Sequence, residues 1–187
     1  MTIKNKETKD YLELIEIDRG YTLLVSKDDR KSESSQAIFR VDNFLTGGFY
    51  FVTSREFQEY AEKFNTLPLD HRNQYLEVGA GLGGFTEHLI NSIEGLERSP
   101  IIVDPVDYRV LQEMLNEGLN RAKISGLSKP ILSRLERLLK RAQLYGDSEH
   151  VENISLTFNE AMRAFPNLLE NVDYIIDNCA SSYYPEI

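Results

Sequence analysis

The residues best suited to chemistry lie in one run, Tyr75-Leu76-Glu77-Val78-Gly79-Ala80-Gly81-Leu82-Gly83-Gly84-Phe85-Thr86-Glu87-His88-Leu89-Ile90. A short, mainly apolar strand enters a glycine-rich turn and leaves it as a helix whose Phe85, Leu89 and Ile90 can face a sheet. Positions without side chains let the backbone turn tightly and approach a ligand, and free N–H groups at the helix start donate to polar or anionic groups. Such a turn suits a nucleotide-like ligand. A second carboxylate fits the same ligand, because the apolar strand Ile101-Ile102-Val103 ends at Asp104, 21 residues after Gly83. An acid at the end of a neighbouring parallel strand can accept hydrogen bonds from both ribose hydroxyls. The glycines alone leave the ligand open: Gly79, Gly81 and Gly84 satisfy G-x-G-x-x-G, while Gly79, Gly81 and Gly83 satisfy G-x-G-x-G. Glu77 discriminates, since a dinucleotide-binding strand normally keeps an apolar side chain two residues before the first glycine.

These residues need a sheet to hold them. Val151 to Phe158 reads as a third strand leading to Asn159-Glu160, and Val172 to Ile176 as a fourth ending at Asp177-Asn178. With helical segments between, the pattern is βαβαβαβ, which predicts a parallel sheet wound with helices. The segment from Val106 to His150 is long and contains two amphipathic stretches, Tyr108 to Ala122 and Pro130 to Leu144. In the latter, Leu132, Leu135, Leu139 and Ala142 define one face, and Arg134, Arg137 and Arg141 are expected to share another as a basic stripe. The first 53 residues read as a separate β-rich segment. Leu12 to Ile17 and Tyr21 to Val25 flank Asp18-Arg19-Gly20 as a hairpin, and Ala37 to Val41 with Phe49 to Thr53 form a second strand pair. The polar run from Lys27 to Gln36 is a loop between them. After it, Phe57, Tyr60, Ala61 and Phe64 recur at helical spacing, with Thr53 and Glu56 as a capping box. Residues 54–187 are thus the core unit.

The whole chain, 187 residues with 41% hydrophobic, 27% charged and 10% aromatic residues, has a globular composition and excludes disordered or collagen-like chains. No run approaches the length of a transmembrane helix, and the lysine-rich segment Met1 to Asp10 has no apolar signal-peptide core, so a cytoplasmic protein is expected. The lone Cys179 cannot form an internal disulfide, and His71, His88 and His150 lack metal-site spacing. The net charge of −9 argues against nucleic-acid binding by the whole surface. Between Arg121 and Arg141, however, seven basic residues stand against Glu136 alone, so this segment is either a solvated face or a contact for RNA phosphates or an acidic ligand.

The run Leu76-Glu77-Val78-Gly79-Ala80-Gly81-Leu82-Gly83 resembles the first motif of class I S-adenosylmethionine-dependent methyltransferases, which commonly carry an acid at the Glu77 position. The resemblance covers residues 54 to 180 and implies a Rossmann-like α/β fold, a doubly wound, mainly parallel sheet with helices on both faces. It further implies that Gly79, Ala80, Gly81 and Gly83 lie along the methionine and ribose of S-adenosyl-L-methionine, and that Glu77 orients the turn or the methionine amino group. Asp104 would hold the ribose hydroxyls, Pro105 and Val106 would line the adenine, and Asn159 would contact its amino group. Asp177 and Asn178 would face the transferable methyl, with Asp177 the candidate base. Asn43-Phe44-Leu45 adds a faint similarity to the ribosomal RNA adenine dimethyltransferases, but Asn178-Cys179-Ala180-Ser181 lacks their Asn-x-Pro-Tyr/Phe motif. A small-molecule acceptor is therefore expected ahead of RNA.

The family sheet has seven strands in the order 3-2-1-4-5-7-6, and nine residues follow Asn178 here. An incomplete core, an edge of strand four covered by the N-terminal β segment or by a second subunit, and a shortened noncatalytic relative are the expected alternatives. A noncatalytic binding module and a nicotinamide-dependent oxidoreductase are the competing functions.

Overall fold

The computed structural model describes residues 12–17, 21–26, 38–43, 48–53, 67–124, 126 and 129–177. The described strands form two sheets. In the first, β1 (Leu12–Ile17), β2 (Tyr21–Ser26), β3 (Ile38–Asn43) and β4 (Gly48–Thr53) run antiparallel in sequence order. Ile17 pairs with Tyr21 and Asn43 with Gly48, so both expected strand pairs form. The helix expected around Phe57 to Phe64 lies outside the described residues, as do Asn178 and Cys179.

The second sheet is all parallel, with β5 (Tyr75–Val78), β6 (Ile101–Val103), β7 (Glu152–Ile154) and β8 (Tyr174–Asp177) in the order β7-β6-β5-β8. Central strands β5 and β6 are buried along their whole length, as strands of a parallel sheet covered on both faces are, with Glu77 the one charged residue in them. The connections contain α1 (Phe85–Ser92), α2 (Tyr108–Ile124), α3 (Lys129–Tyr145) and α4 (Phe158–Ala164). Because strand side chains alternate between faces, Leu76, Val78, Ile101, Val103 and Ile154 pack with Ala161 of α4 on one face. On the other, Tyr75 and Ile176 receive Phe85 and Leu89 of α1, while Ile102 joins the core made by α2 and α3. Helices thus cover both faces. Across the β5–β8 register, Tyr75 and Tyr174 stack with ring centroids 5.6 Å apart.

The α2–α3 hairpin follows from heptad-like spacing. Tyr108, Leu111, Leu115, Leu119 and Ala122 bury one face of α2 against Leu135, Leu138, Ala142 and Tyr145 of α3. Two expectations are corrected here. The third strand stops at Ile154 rather than running to Phe158, because Thr157 caps α4: its hydroxyl accepts from Glu160 N, and the Glu160 carboxylate accepts from Thr157 N. Asn159 therefore lies inside the first turn of α4. Arg141 does not belong to a solvated basic stripe; it is 1% exposed, because it follows Leu138 by three residues and precedes Tyr145 by four, on the buried stripe. In the wider basic segment between Arg121 and Arg141, Arg121 and Lys123 pair with Glu117 and Glu136. Among the described residues, no helix is long and apolar enough to cross a membrane.

Candidate functional site

The C-terminal ends of β5 and β6 bring the two sequence-predicted acids under one turn. Glu77 shares the face covered by α1, α2 and α3, beside Ile102 and Ile176 in register, and it is 2% exposed. Its Oε2 accepts from the Thr86 hydroxyl at 2.7 Å, while Oε1 is buried with no hydrogen-bond partner. Burial pushes the carboxyl up to about 7; the Thr86 hydrogen bonds oppose that shift, the Asp104 charge adds to it, and the Arg141 charge opposes it. Gly79 and Gly81 take φ values of 64° and 52°, the left-handed region that a side chain would strain. Gly79 N extends the β5–β6 ladder to Val103 O, and Gly83 N closes the turn onto Ala80 O at 2.7 Å.

Asp104 ties the turn to the end of β6. Its Oδ2 accepts from Gly81 N at 2.8 Å and its Oδ1 from Val106 N at 2.9 Å. Burial raises its pKa, and the two N–H donors oppose that rise. Each carboxylate oxygen keeps a second lone-pair site for a further donor.

The back of the turn is held by α2 and α3, through residues that the sequence reading did not assign to the site. Tyr108 donates to Gly81 O at 2.7 Å, Arg141 Nη1 to Leu82 O at 2.7 Å, and the Tyr145 hydroxyl to Gly83 O. Arg141 Nε also donates to Glu87 Oε2 at 2.8 Å, in the first turn of α1. The N-cap of α1 is Gly84, which has no side chain to cap the helix, and the Tyr145 oxygen accepts from Glu87 N instead. Tyr108 and Tyr145 meet edge to face, 5.5 Å between centroids. Their positions on the apolar stripes were readable; their hydroxyl partners, far away in sequence, were not.

The remaining predicted residues are spread around the same end of the sheet. Pro105 is exposed, whereas Val106 is buried in the α2–α3 core. Asn159 is exposed in α4, and Asp177 is exposed in register with Val78. A cleft of about 450 Å³ lined by Arg72, Arg98, Asn171 and Asp173 lies elsewhere, beside the residues that enter β5 and β8. It shares no residue with the turn. Among the described residues, no group of His, Cys, Asp and Glu could hold a metal ion. The chain matches no protein-family model, no curated protein and no solved structure.

Proposed function

We propose that the chain is a Rossmann-like, class I methyltransferase that binds S-adenosyl-L-methionine across the Gly79–Gly84 turn. The observation carrying this reading is the buried, unpartnered Glu77 Oε1 beneath a turn with two left-handed glycines. An orphaned carboxylate oxygen favours a cationic ligand, and the cofactor carries an ammonium and a sulfonium. A dinucleotide would instead bring its doubly negative pyrophosphate to a turn underlain by two buried acids, Glu77 and Asp104, which disfavours the oxidoreductase reading.

When bound, the cofactor supplies an electrophilic methyl group on sulfur. The chain's own residues align and shield it. Gly79, Ala80, Gly81 and Gly83 let the backbone approach, Glu77 balances positive charge, and Asp104 accepts from the ribose hydroxyls while it keeps Gly81 N. Pro105, Val106 and Asn159 stand on the adenine side. Asp177 closes β8, and the resemblance assigns it, with Asn178 next in sequence, to the acceptor side, Asp177 being the candidate proton acceptor when the substrate atom must be deprotonated. A small molecule is the acceptor class that the sequence favours over RNA.

Thermal unfolding with added ligand tests the reading. S-adenosylhomocysteine at one hundred times its Kd stabilises the folded chain by about 2.7 kcal/mol. Asp104→Ala and Gly81→Val abolish that stabilisation. A shift produced by NAD instead, or none by either ligand, overturns the assignment.

A further inference from the structure

We infer that the α2–α3 hairpin is a clamp that sets the ligand-binding conformation of the glycine turn, with Arg141 and Tyr145 as positioning residues. The inference rests on the reading of that turn as the cofactor site. Three successive carbonyls, those of Gly81, Leu82 and Gly83, each take a donor from a different side chain of the hairpin. In a planar trans peptide the C=O and the following N–H point in opposite directions. Holding these carbonyls toward the hairpin therefore turns the N–H groups of Leu82 and Gly84 away from it, while Gly83 N closes the turn on Ala80 O.

The choice of residues supports a positioning role. An arginine that is 1% exposed is costly to bury, and an apolar side chain would fill the same space with less desolvation. Arg141 spends that cost on one carbonyl of the turn and on Glu87 at the start of α1, so a single fork fixes the angle between turn and helix. Tyr145 repeats the arrangement with one hydroxyl, which donates to Gly83 O and accepts from Glu87 N. Side chains from one hairpin thus set both the curvature of the turn and the direction in which α1 leaves it.

The test combines amide hydrogen exchange with S-adenosylhomocysteine titration on the full chain, its Arg141→Lys and Tyr145→Phe variants, and Lys140→Ala on the exposed face of α3 as control. Tyr145→Phe removes only the hydroxyl, so it keeps the test independent of any folding defect in the arginine variant. Both clamp variants are expected to speed exchange at residues 82–88 about tenfold and to weaken ligand binding about tenfold, the scale of one lost hydrogen bond. Lys140→Ala changes neither. Exchange that is unchanged, or raised evenly along the chain, overturns the clamp, as does local acceleration with wild-type affinity retained. If the wild-type chain binds no ligand, the cofactor reading fails by itself; exchange then decides the clamp, with local acceleration sustaining it and its absence overturning it.

Discussion

Glu77 is a carboxyl held almost wholly out of water. A carboxyl that rises from its ordinary 4.5 to about 7 on folding holds its proton more tightly in the folded chain. Its stabilising contribution is therefore full below pH 4.5 and is lost as pH climbs through about 7. The difference is on the order of 3 kcal/mol, from the free-energy equivalent of the shift. Denaturant unfolding at pH 5 and pH 8 should show this decline in the wild-type chain and a flatter profile in Glu77→Gln. The groups facing Glu77 modulate the slope: Asp104 steepens it and Arg141 opposes it, with Thr86 bonded to the ionised form. A cation placed at Oε1 would expel the proton, so cofactor affinity should rise between pH 6 and pH 8, as titrations across that range would show. The Arg141–Glu87 pair makes a separate prediction. Glu87→Ala leaves a buried guanidinium without its carboxylate and should destabilise the chain by about 3 kcal/mol, measured by urea unfolding, whereas Glu87→Gln keeps an acceptor and should cost less.

Among the elements, α4 shows how a local cap overrides an alternating pattern. Val151 to Phe158 reads as a strand, yet Thr157 and Glu160 form a reciprocal capping box that starts a helix at Phe158. Thr157→Ala should cost about 1 kcal/mol in chemical denaturation. The T-x-x-E spacing was present in the sequence and would have placed this boundary. The other main elements were legible for physical reasons. Buried parallel strands such as Ile101–Val103 appear as apolar runs, α2 and α3 carry a 3.6-residue period, and a glycine turn after a strand needs little context. Arg141 was misplaced because its charge suggested solvent while its spacing from Leu138 and Tyr145 put it on the buried stripe. The Tyr108–Gly81 and Tyr145–Gly83 contacts join residues 27 and 62 positions apart, and no local pattern encodes a partner at that distance.

At the scale of the molecule, one end of the parallel sheet gathers the two buried acids, the left-handed glycines and the hairpin that holds them. The strand order β7-β6-β5-β8 places β5 and β6 side by side at the centre, so the acid within one strand and the acid after the next meet beneath a single turn. That convergence was readable from Glu77, the glycines and Asp104. The chain's net charge of −9 opposes nonspecific binding of a polyanion, in keeping with the cationic ligand proposed above. Strand β8 has β5 as its one partner among the described strands, and its Ile175 is 52% exposed. The central claim is that the turn takes a cationic nucleoside rather than a dinucleotide, and calorimetric titration of the whole chain with S-adenosyl-L-methionine and, in parallel, with NAD tests it most directly. Saturable, one-site binding of the first with only dilution heat from the second is the predicted result; binding of NAD, or no binding of S-adenosyl-L-methionine, would contradict it.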